Sequence, residues 1–151
     1  MLPALVAAAC AGFLLAVLWM DLIFDVQVLR HRDGELPESV LASIALYYRR
    51  ATTTSKPMGH LIALVMLTLL GTVIAQAIHS AALKSWVLVA ICAAPVLLAL
   101  IRIVPDAIRL GKRVDDTATQ SVLARRICRD HLLCFGALLI FLALHLSRAL
   151  A

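Results

Sequence analysis

The chain has 151 residues, 63% of them hydrophobic and 15% charged, with a mean hydropathy of +0.98. Soluble domains are about 45–50% apolar and about 25% charged, so disorder, a secreted disulfide scaffold and a soluble nucleic-acid binder are excluded. The formal charge of +5 then calls for contact with anionic lipid rather than a nucleic-acid partner. The apolar residues gather in blocks, and the chain reads as an all-α integral membrane four-helix bundle in a single domain.

The first helix is expected at about residues 2–29. No Lys or Arg precedes Arg30, so the positive start of a signal peptide is missing and the block reads as a retained span. Ala8, Ala9 and Gly12 suit close helix packing here, as do Gly71 and Gly136 further on. The next segment, Glu35 to Arg50, opens on a Pro-containing helix start. Val40, Leu41, Ile44, Tyr47 and Tyr48 then recur at helical spacing. It predicts a short cytoplasmic amphipathic helix between helices 1 and 2, lying on the membrane surface.

Helix 2 is expected at 58–78. His60, Leu64, Thr68, Thr72, Gln76 and His79 follow one another at steps of three or four, a weakly polar stripe that predicts the inward face. Helix 3 is expected at 85–110, bent or broken by Pro95 and Pro105. Gly111 to Gln120 reads as a short polar connection. Helix 4 is expected at 118–150, with His131, Cys134, Leu138, Leu142 and His145 along one side. Each block approaches the roughly 20 residues that cross an apolar core about 30 Å thick. The four cysteines, Cys10, Cys92, Cys128 and Cys134, form no CxxC pair and read as small buried hydrophobes.

Orientation follows from Lys and Arg. Arg30, Arg32, Arg49, Arg50 and Lys56 lie between helices 1 and 2. Arg102, Arg109, Lys112, Arg113, Arg125, Arg126 and Arg129 lie between helices 3 and 4. Only Lys84 and Arg148 lie elsewhere. The positive-inside rule puts both large connections in the cytoplasm of a bacterial inner membrane and both termini outside.

Ionisable residues within a span are costly and face a bundle interior or a cavity. Asp21 and Asp25, four apart on helix 1, share one face. Asp21 sits nine residues before Arg30, roughly 13 Å along the helix. Arg102, Asp106 and Arg109 on helix 3, His60 at the start of helix 2 and His131 on helix 4 fall at the same depth. The outer half offers only Gln76, His79 and His145. A polar pocket opening toward the cytoplasm is therefore expected. Asp21 or Asp25 serves in it as acid or base, oriented by Arg102 or Arg109, with Asp106 counted in the same catalytic set. If a cofactor is held, His60 and His131 are its ligands. The blander reading is a set of ion pairs that locks the helices together.

The stretch Phe13 to Leu22, FLLAVLWMDL, resembles the first helix of styrene oxide isomerase, and Arg50-Ala51-Thr52 is similar to the segment before that family's second helix. The resemblance implies a small four-helix bacterial membrane enzyme that uses ferric haem b. The family's haem-ligating His stands where this chain has Thr52 or Thr53, and His60 is the nearest candidate. Size and layout also resemble the anthrone-oxygenase-like membrane proteins. The resulting expectation is an inner-membrane isomerase or oxidoreductase acting on a lipophilic small molecule, with haem or a metal left open. Membrane lipid is the other partner, and association with further copies of the chain is left open. The alternative is a non-enzymatic membrane component, either a transporter or channel subunit or an assembly partner.

Overall fold

The computed structural model describes residues 2–31 and 33–150; Arg32, counted among the cations of the first connection, lies outside them. Helix α1 (Leu2–Asp25) runs into a 3-10 turn (Val26–Arg30). Helix α2 (Glu38–Arg49) ends in a π turn (Arg50–Thr54) that leads into α3 (Lys56–Ser80). Helix α4 (Leu83–Leu98) passes through a second π turn (Ala99–Ile103) into α5 (Val104–Lys112), and α6 (Thr117–Leu150) closes the chain. Four helical stretches, Leu2–Arg30, Pro57–Ser80, Leu83–Lys112 and Thr117–Arg148, are long and apolar enough to cross a membrane. The chain is an all-α bundle of the multi-pass membrane type.

The four long helices form a ring in chain order. α1 packs against α3 and α6, and α4 packs against α3 and α6, so α1 and α4 are diagonal to each other, as are α3 and α6. Ala7, Ala11 and Leu14 meet Leu69, Val73, Leu88, Cys92, Leu138 and Phe141 along the axis. Leu67, Ile101 and Trp19 point outward with 60% or more of their surface exposed, as suits contact with lipid tails. All four cysteines are free.

Two details of the expected packing change. Ala7 and Ala11, both fully buried, make the close contact on α1, whereas a Cβ added at Gly12, Gly71 or Gly136 would meet nothing within 4 Å. On α3 the inward side is Leu69, Val73 and Ala77; His60, Leu64, Thr68 and His79 are exposed. Lipid tails are as apolar as the bundle interior, so weak polarity does not mark an inward face in a membrane. Thr68 tolerates the outside because its hydroxyl donates to the Leu64 carbonyl at 2.8 Å.

At one end the ring is capped by α2. Leu41, Ile44, Ala45 and Tyr48 are buried against Val28, Ala107, Leu110, Leu123 and Ile127. The apolar face of α2 therefore rests on α5 and α6 rather than on a membrane surface. Gly111 permits this approach: a Cβ there would lie 2.9 Å from the Arg49 amide nitrogen. Arg113 forks onto Glu38 at 2.7 and 2.8 Å, and this hydrogen bond holds the Glu38 carboxyl below its ordinary range. Arg125 donates to the His31 and Gly34 carbonyls, and the Leu36 amide donates to Ser121. The connection before α6 is shorter than expected because α5 continues to Lys112. Asp116 caps α6, accepting from the Thr119 amide at 2.7 Å, and the Thr119 hydroxyl first and then that amide hold its carboxyl below the ordinary range.

Pro95 stays inside α4, while Pro105 follows the second π turn. A proline ring removes one backbone donor and crowds the carbonyl four residues earlier. The wider turn at Ala99–Ile103 accommodates this and lets the span continue as α5.

Candidate functional site

Asp21 and Asp25 lie one turn apart on the inward-facing side of α1, one turn from the α2 end. Opposite them, His131 of α6 is held between the two. Its Nδ1 lies 2.6 Å from Asp25 Oδ2, and its Nε2 lies 3.8 Å from Asp21 Oδ2. From α2, Tyr48 donates to Asp25 Oδ1 at 2.6 Å and Tyr47 donates to Asp21 Oδ1 at 2.5 Å. The Tyr48 hydroxyl also stands 3.4 Å from His131 Nδ1. The Tyr47 ring stacks on Phe24 at 4.2 Å between centroids, so both the ring and its hydroxyl are fixed.

The order is tyrosine, carboxylate, imidazole, carboxylate, tyrosine. Burial, and then the neighbouring carboxylates, push both phenols far above their ordinary range. They stay protonated and act as donors. Asp25 is wholly buried, and the His131 side chain is 5% exposed. The Asp21 side chain keeps 16% of its surface. The cluster is thus closed at Asp25 and reaches the surface at Asp21, while Trp19, Met20 and Ile23 are exposed on the lipid-facing side of the same stretch of α1. The imidazole is hydrogen-bonded to Asp25 alone; Asp21 stands at 3.8 Å, ion-pair distance but beyond a hydrogen bond, so a proton passes between the carboxylates only once that gap closes.

The remaining polar residues form ties between helices. Asp130, adjacent to His131 and buried, receives Arg102: Nη2 sits 2.9 Å from Oδ2 and 3.2 Å from Oδ1, with hydrogen-bond geometry only to Oδ1. Arg129 stands 3.4 Å from the same carboxylate. Asp106 takes a bidentate grip from Arg126, both contacts 2.6 Å. Arg109 pairs in the same way with Asp115.

The structure therefore unites Asp21, Asp25 and His131 but reassigns the other expected members. Arg102, Asp106 and Arg109 do not orient Asp21 or Asp25. They belong to the span diagonal to α1, and their partners lie on α6 and on the turn before it. His60 is exposed on α3, and α3 is diagonal to α6, so it does not meet His131. The expected open pocket is filled by the two tyrosines. Their role was hidden because 3.6-residue spacing marks Tyr47 and Tyr48 as apolar. The available signal was chemical: a buried tyrosine hydroxyl needs a partner, and two side by side on an apolar face imply two buried acceptors.

A haem or metal held by His60 and His131 does not fit these residues. The diagonal placement keeps His60 and His131 from sharing one group. Among the described residues no group of three or more His, Cys, Asp or Glu is arranged to hold a metal ion. Comparison with protein-family models, curated proteins and solved structures finds no match for the chain.

Proposed function

We propose that the chain is a small bacterial inner-membrane enzyme that relocates a proton on a lipophilic small molecule, an isomerase-type reaction. The substrate enters from the bilayer beside Asp21. Asp21 is the catalytic residue: its carboxylate takes a proton from one carbon and returns it to another, so no co-reactant is consumed. His131 and Asp25 are positioning residues that hold or release that proton on the buried side. Tyr47 and Tyr48 fix the two carboxylates. The observation that carries the reading is an imidazole hydrogen-bonded to a wholly buried carboxylate and within ion-pair distance of a second one that reaches the surface.

The rival is a non-enzymatic component in which the cluster clamps α2 to the bundle. It is favoured by one observation: Asp25 has both oxygens satisfied and no exposure, as a structural lock requires. Incubating the purified protein with lipophilic extracts in D2O separates the two without a known substrate. Wild type should place deuterium on a carbon of some extract component, and Asp21→Asn should abolish this at least about a hundredfold, the typical contribution of an acid–base group, with little change in Tm. Wild type that places no deuterium on any component leaves the lock reading standing.

A further inference from the structure

The end of the bundle away from α2 has its own polar site, which the proton-transfer reading does not use. A cleft of about 220 Å³ opens there between all four long helices. Its wall includes Ala4 of α1, Gln76 and Ser80 of α3, Ser85 of α4, and His145 and Arg148 of α6. His145 is 5% exposed; its Nε2 lies 3.1 Å from the Ala4 carbonyl, and its ring stacks on Phe141. Ser80 donates to Ser85 at 2.8 Å. Arg148 rests one Nη on the Lys84 carbonyl, which among the described residues leaves most of its guanidinium fork unspent.

The charge pattern says what the cleft wants. All nine Asp and Glu of the chain fall from the level of Asp21 and Asp130 toward the α2 end. The opposite half has Lys84, Arg148 and donors, with no acidic side chain to answer them. The volume equals about seven waters, enough for a head group and too small for an acyl chain. We propose that this cleft binds a single phosphate group, with Arg148 as the forked cation, Gln76 and Ser85 as neutral donors, Ser80 holding Ser85 in place, and exposed apolar residues such as Ile78 and Leu83 alongside any attached chain.

The chain's two tryptophans are Trp19 and Trp86, and Trp86 adjoins Ser85. In a Trp19→Phe background, Trp86 emission therefore reports on the cleft. The purified protein in neutral detergent is titrated with short-chain phosphatidylglycerol, with the matching diacylglycerol that lacks phosphate, and with inorganic phosphate. Phosphatidylglycerol should give a saturable change and diacylglycerol none. Saturation by inorganic phosphate as well identifies a free-oxyanion site; saturation by phosphatidylglycerol alone identifies a lipid head group. Arg148→Gln should raise the half-saturation point about tenfold, as loss of a charge-assisted bond does. Lys84→Gln, a nearby cation outside the cleft, should shift it less than about twofold on the same scale. Should Arg148→Gln lower Tm, Gln76→Leu serves in its place, with a smaller rise. Equal responses to phosphatidylglycerol and diacylglycerol, or equal weakening by Arg148→Gln and Lys84→Gln, overturn the proposal.

Discussion

At the level of single residues, the two tyrosines test what the cluster is worth. Tyr48 is 3% exposed and supplies Asp25 Oδ1 with its donor. Tyr48→Phe keeps the ring and removes that donor, so Asp25 is left buried with one oxygen unanswered. Such an orphaned acceptor costs about 1–3 kcal/mol, more when it carries charge. Tyr47→Phe should cost less, because the Asp21 side chain is 16% exposed and water at the membrane interface can replace the hydroxyl. Reversible unfolding in mixed micelles checks the order. Equal losses for the two variants contradict the picture of a cluster closed at one end and open at the other. The same asymmetry should appear reversed in catalysis, with Tyr47→Phe the more damaging because its partner is the residue that meets substrate.

Helix α2 is where reading and structure part most clearly, and two changes probe its docking. Gly111→Val would place side-chain atoms where the backbone of Arg49 and Tyr48 lies 2.9 to 3.3 Å from a Cβ. Backbone cannot yield as a flexible side chain does, so α2 must lift. A cost of about 1–3 kcal/mol is typical of overpacking, and hydrogen exchange over residues 38–49 should quicken while α3 and α4 keep their protection. Unchanged exchange would mean that α2 is held elsewhere. The second probe is pH. Glu38 has its carboxyl pKa lowered by Arg113, so its pair contributes above the ordinary carboxylate pKa and is lost as pH falls through the lowered one. The protection factors at the start of α2 should therefore fall as the pH drops below about 4, and Glu38→Gln should show the same reduced protection at pH 7. The long helices were legible because continuous apolar runs near 20 residues have few other uses, and their limits agree within three residues. The inward partner of Asp21 and Asp25 was half legible. Charge and depth pointed correctly to His131, but also to Arg102, Arg109 and His60. Only the ring order of the helices separates these, and no local pattern encodes which spans sit diagonally.

Across the whole molecule, the charge is divided so unevenly that orientation becomes a prediction in its own right. Twelve of the fourteen Lys and Arg belong to the two connections at the α2 end, against Lys84 and Arg148 at the other. Many of the twelve are paired in the fold, as Arg126 is with Asp106 and Arg113 with Glu38. Pairing does not cancel the bias, because orientation follows Lys and Arg near the span ends and carboxylates contribute little. Each cation near an anionic cytoplasmic leaflet is worth about 1 kcal/mol besides. With four spans the termini share a side, so one assignment fixes everything: α2 and the mouth beside Asp21 at the cytoplasmic face, the phosphate cleft at the outer face. Single-cysteine labelling in a background freed of its four native cysteines decides it. A cysteine at Glu35, in an exposed stretch of the first connection, should react with an impermeant maleimide only after the cells are opened. One at Ala81, in the exposed turn between α3 and α4, should react from the outer side of the intact membrane. The reverse pattern would put the cleft in the cytoplasm, within reach of soluble phosphates, and the opening beside Asp21 in the outer leaflet.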